Sequence, residues 1–195
     1  MRGFIRISVN RWLLCGICFS FFALFEPASL FSADSSVNYS YKNPRAILAE
    51  VSKRGASAVI AELYSSPIKW NSILKQIATG TENWLKVAVA LHPNSDAGAR
   101  EMLTLSVGEA LGTAPASVFK ITLNEFQLKS ICGGPDIDDA RYDSYELAIK
   151  AINQRQKSIL SVTDPKLKDA CSKCTQFLEE SKAGIAKYYE NRLKR

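Results

Sequence analysis

The single histidine of this 195-residue chain, His92, lies in the stretch WLKVAVALHPNSDAGAREML (84–103), which also holds Ser95 and Asp96. A histidine beside an acid is the pair a general base needs, and a nearby serine adds the hydroxyl of a nucleophile. The local chemistry favours a different use. Pro93 biases His92 out of the helical region. Asn94, Ser95 and Asp96 offer side-chain oxygens to the orphan amides of a new helix, with an acid beside the positive end of its dipole. Ala97, Gly98 and Ala99 then let two helices approach closely. His92, Pro93, Asp96 and Gly98 are therefore read as a structural corner, and no catalytic residue is assigned.

Cysteines are the second candidate. Cys171 and Cys174 form the spacing CSKC, which suggests redox chemistry, but thioredoxin-type pairs sit at a helix N-terminus after a strand, where the dipole lowers a thiol pKa. Here Pro165 opens the helix, so Cys171 falls in its second turn. Zinc held by Cys132, Cys171, Cys174 and His92 has the right number of ligands but a poor pattern, two of them distant and single. No metal and no cofactor is expected. The favoured reading is one structural disulfide from Cys132 to the final helix, closing a loop of about 40 residues and stabilising the chain by roughly 4 kcal/mol. Both Cys171 and Cys174 lie on the apolar seam of that helix, so spacing does not choose between them.

The acidic run PDIDDARYDSYE (135–146) lacks the central glycine and ligand spacing of a calcium loop, and its carboxylates read as partners of a helix N-terminus. Trp70 and Trp84 fall on core stripes rather than in a ligand cage.

Compartment follows from the start of the chain. Arg2, Arg6 and Arg11 precede WLLCGICFSFFALF (12–25), an apolar run of signal-peptide length that is short for a bilayer span. Residues 1–33 are expected to be a signal peptide, the alternative being a retained anchor, which places the protein in the periplasm or outside the cell. Without the three arginines and one glutamate of that segment, 22 basic and 18 acidic residues leave a net charge of +4. The charge is mild, and the only basic concentration is the tail KYYENRLKR (187–195), which suits a solvated helix end. No nucleic-acid partner is expected.

The elements that must position these residues are all helical. Residues 34–43 read as a flexible arm, and residues 44–195 as one domain. Asn43 and Pro44 start a helix whose apolar period continues through Gly55, predicting one long helix to Leu63. Ser66 and Pro67 open a second, bounded by Gly80. ENWLKVAVAL (82–91) has almost no polar face and belongs at the centre of the domain. Helices then follow the corner up to Gly112 and from Pro115, with a short element around Leu123, Phe126, Leu128 and Ile131 before the break CGGPDIDD (132–139). Residues 138–195 make a hairpin, its second helix carrying Leu167, Cys171, Cys174, Leu178, Ser181, Ile185 and Tyr188 along one seam. With no alternating strand pattern, the expected fold is all-α: an irregular HEAT-like helical solenoid over 44–131, followed by the C-terminal hairpin.

Trp84, Leu85, Val87, Ala88, Leu91, Pro93, Asp96, Ala97, Gly98 and Ala99, then Cys132-Gly133 and Asp169 with Cys171, resemble the pattern of an uncharacterised group of small, exported, all-helical bacterial proteins, over roughly residues 44–175. The resemblance implies that Cys171 is the partner of Cys132 and Cys174 the extra thiol. It also implies another residue at the position of His92, often Arg, and it brings no activity.

The expected function is that of an exported helical binding or scaffold protein that holds a protein partner in the cell envelope without catalysis. The alternative is a carrier of a small apolar ligand or lipid in a cavity lined by Trp70, Trp84 and Phe119. After signal removal no membrane span is expected.

Overall fold

A computed structural model describes residues 41–194, so the expected signal peptide and most of the expected arm lie outside the described residues. The first helix, α1 (Pro44–Arg54), starts as its sequence dictates: Asn43 Oδ1 accepts from the Arg45 amide at 3.0 Å and proline occupies the first helical position. The long helix predicted through Gly55 is not formed. Gly55 has φ 82° and ψ 153°, in the positive-φ region that suits glycine, and the chain turns there into α2 (Ala56–Tyr64). The unbroken period misled because both helices face the same core, with Ile47, Val59 and Leu63 all buried. Arg54 braces the turn, donating from Nε to Glu50 and from Nη2 to Glu62, both at 2.7 Å.

The next helices are α3 (Pro67–Ile77) and α4 (Glu82–Leu91). Gly80 separates them at φ 75°, and a Cβ there would lie 2.6 Å from the Ala114 Cβ, so both conformation and space require glycine. Helix α4 is the centre that its composition predicts: Trp84, Leu85, Val87, Ala88 and Leu91 are buried. Around it pack α1, α2, α3, α5 (Ala97–Ala110) and α6 (Pro115–Thr122). Successive helices pack in chain order, α1 on α2 and α2 on α3, as a solenoid-like run. The run also closes on itself, because α1 returns to α4. The short α7 (Leu128–Ile131) lies against α5, where a Cβ on Gly108 would fall 2.7 Å from the Ile131 carbonyl oxygen.

Helices α8 (Tyr145–Leu160) and α9 (Lys168–Leu193) form the C-terminal hairpin, joined by a turn in which Asp164 Oδ1 accepts from the Lys166 amide. The α9 side of the seam is Cys174, Leu178, Ile185 and Tyr189, against Ala148, Ile152 and Ile159 of α8. Tyr189, not Tyr188, takes the last buried position, since a stripe stepped by three and four drifts around a helix of this length. Its hydroxyl donates to the Tyr142 carbonyl. The fold is thus all-α, with no strand among the described residues, and no described helix is long and apolar enough to cross a membrane.

Candidate functional site

The corner at His92 is built for position. Asp96 Oδ1 accepts from the Ala99 amide at 2.8 Å and caps α5, while Ser95 Oγ donates to the His92 carbonyl at 2.6 Å. Both groups that a hydrolytic reading would need are therefore committed to backbone. A Cβ on Gly98 would meet the Tyr64 hydroxyl at 2.9 Å, so this glycine allows close approach of α5 to α2. One expectation is corrected: His92 keeps helical angles, φ −55° and ψ −46°, despite preceding proline. Its amide still donates to Ala88 O, and the chain tightens into a 3₁₀ turn over His92–Asn94 rather than leaving the helix. The imidazole pairs with Glu125, Nδ1 to Oε1 at 2.7 Å, and packs against Phe126 with centroids 4.1 Å apart and planes tilted by 40°. Glu125 is 33 residues away, and no local spacing could have nominated it.

The disulfide is Cys132–Cys174, with Cα atoms 5.1 Å apart, and Cys171 is free. The pairing of Cys132 with Cys171 that the resemblance implies is thereby corrected. The cause is the register of the hairpin: Cys174 points fully inward to the end of α7, whereas Cys171 lies to the side of the seam, half-buried. With Cys132 and Cys174 joined and His92 held by Glu125, the zinc set is not assembled, and the described residues contain no other group of three metal-ligating side chains.

The acidic run shapes a loop. Asp136 Oδ1 accepts from the Asp138 amide, and Asp139 Oδ1 accepts from the Arg141 amide to start a 3₁₀ turn at Ala140–Tyr142. Of the acids in the run, only Glu146 sits in the first turn of α8, whose cap is Ser144. Arg141 then ties the loop to α5. It donates to both oxygens of Glu109, at 2.7 and 3.2 Å, and to Asp139 Oδ2 at 2.8 and 3.0 Å. Beneath the loop Arg155 is 4 % exposed and donates from Nη1 to Gly133 O at 2.9 Å. Burial lowers its guanidinium pKa, with Tyr142 and Glu109 pulling it back up.

Between α3, α5 and this loop runs a cleft of about 350 Å³. Leu74, Met102 and Leu105 make it apolar, and Asn71, Lys75, Asp136 and Arg141 add polar and charged groups to its lining. A smaller depression of about 270 Å³, lined by Tyr142, Gln154 and Arg155, shares Glu109 with it. A groove of about 590 Å³ at the tip of the hairpin is lined by Val162, Cys171 and Leu160, the last 75 % exposed. Trp70, Trp84 and Phe119 line none of these and are packed in the core.

The Arg141 side chain, and next its amide, hold the Asp139 carboxyl below the usual carboxylate range. A carboxyl with a depressed folded-state pKa contributes stability above its unfolded value and loses it as pH falls through the folded one. Acid below the ordinary carboxylate range should therefore loosen the loop. The Arg141 Nε–H resonance, followed by NMR, is expected to move in that window. No family model, no curated protein and no solved structure matches the chain.

Proposed function

We propose that the chain is an exported binding protein that holds a protein partner in the cell envelope and performs no catalysis, as one of the small exported helical proteins its 84–99 pattern resembles. The observation that carries the reading is the cleft between α3 and α5. Leu74, Met102 and Leu105 give it an apolar face for an anchoring side chain, and Lys75, Asp136 and Arg141 supply charge to orient what surrounds the anchor. A buried disulfide suits an oxidising compartment. The groups that would make His92 a hydrolytic centre are engaged in holding the fold.

The test is in-cell cross-linking of the tagged full chain, followed by affinity capture and mass spectrometry. One dominant protein partner is expected, with capture falling at least about tenfold in Leu105→Arg and Lys75→Glu, the loss of roughly 1.4 kcal/mol or more of binding. Circular dichroism should be unchanged in both. Capture unaffected by either variant removes the cleft as the site. A chain that comes out with only lipid or small-molecule mass attached would turn the reading to the carrier.

A further inference from the structure

We propose that Cys171 is an internal nucleophile for the Cys132–Cys174 bond, so that the chain carries a switch between two disulfide isomers that needs no external oxidant or reductant. The disulfide joins Cys132, just after α7, to Cys174 in the second turn of α9, and the free Cys171 stands one turn before Cys174 on the same helix. Cys174 lies three residues after Cys171 on one helix, which puts their Cβ atoms about 5–6 Å apart. A disulfide wants about 3.5–4.5 Å between Cβ atoms, so the two can join after a modest change in the turn that carries them.

That turn is placed to change. Cys171 is the fourth residue of α9, just after a 3₁₀ segment that Asp164 caps gives way to the α-helix, and the α-helix has no side-chain cap of its own there. The thiol is half-buried and opens into the groove at the hairpin tip, beside the exposed Leu160, whereas Cys132 and Cys174 are fully buried. The nucleophile is thus the one sulfur that solvent and base can reach. Burial pushes the Cys171 thiol up, which keeps most of it protonated at neutral pH and makes the reaction slow there.

The step balances within the chain. Cys171 loses its proton to water, and the thiolate attacks Cys174 Sγ. The Cys171–Cys174 bond forms, the Cys132–Cys174 bond breaks, and the electron pair leaves on Cys132 Sγ, which takes up a proton from water. One disulfide and one thiol are present before and after. What changes is tertiary: the covalent tie from α7 to α9 becomes a bond local to α9, and the loop after Cys132 is left to Arg141 on Glu109, Arg155 on Gly133 and Tyr189 on Tyr142. Asp136 and Arg141 of that loop line the cleft, so the isomers differ in how firmly one of its walls is held.

The full-length oxidised chain is incubated at neutral and at alkaline pH, quenched in acid, alkylated at its free thiols in denaturant and mapped by mass spectrometry after trypsin, with the label read at Cys132, Cys171 and Cys174. Lys173 lies between the two cysteines of α9, so trypsin parts them unless a new bond ties the peptides together. Label is expected on Cys171 at first and then increasingly on Cys132, together with a linked Cys171–Cys174 pair. The rate should rise by about tenfold per pH unit below the thiol pKa and be independent of protein concentration. Cys171→Ser should show no free thiol among these three cysteines and an unchanged Cys132–Cys174 bond. Label that stays on Cys171 at every pH overturns the proposal. So does a rate proportional to protein concentration, or one whose urea dependence equals that of global unfolding, since either assigns the exchange to another route.

Discussion

Replacing Cys132 and Cys174 together by alanine should lower the free energy of unfolding by about 4 kcal/mol, whereas Cys171→Ala should change it by less than about 1 kcal/mol. The bond joins residues 42 apart, and the chain-entropy model assigns a loop of that size a stabilisation of roughly 4 kcal/mol through the unfolded state. Alanine is the better probe than serine, because both positions are fully buried and an unpaired hydroxyl would add its own penalty. Against a total stability of about 5–15 kcal/mol for a domain, the loss is a large fraction. Urea melts of the parent, the double variant, Cys171→Ala and Cys174→Ala decide between pairings. A loss of several kcal/mol in Cys171→Ala, with Cys174→Ala nearly silent, would assign the bond to Cys171 and contradict the hairpin register described above.

That register is also where sequence legibility ended. Helix starts were readable because their causes are local: Asn43 with Pro44, Asp96, and Ala114 with Pro115 each stand where the chain begins a helix. The central place of α4 was readable because a helix apolar nearly all round has nowhere else to go. A period of 3.6, however, reports which residues face the core and not whether the axis bends, so it runs through Gly55 although the helix breaks there. The same period leaves Cys171 and Cys174 equivalent until α8 fixes which of them points inward. The candidate site was less legible still. His92 with Glu125 and Arg141 with Glu109 join residues 33 and 32 apart, and the cleft exists only once α3, α5 and the 132–144 loop are brought together. Leu74, Met102 and Leu105 carry no signature in the sequence, because half-exposed apolar residues on a helix edge look like the margin of a core stripe.

Trp70→Ala should destabilise the fold by about 3–5 kcal/mol, and Trp70→Phe by much less. The indole is 2 % exposed on α3, which packs on α5, and meets the Tyr64 ring edge-on at 5.4 Å. Its Nε1–H points to Met102 Sδ at 3.3 Å, a contact phenylalanine loses while keeping most of the packed area. Alanine instead removes the ring and leaves a hole beside Met102, which also lines the cleft. The variant therefore separates the two functional readings as well as measuring the core. If a protein partner grips the cleft, opening the space behind Met102 should weaken capture by the tagged chain even where the fold survives. If the chain carries an apolar ligand against Trp70, the enlarged cavity should bind small apolar probes more tightly than the parent does, as dry engineered cavities do. A cost below about 1 kcal/mol would mean that Trp70 does not hold α3 to α5, and the cleft between those helices would lose its support.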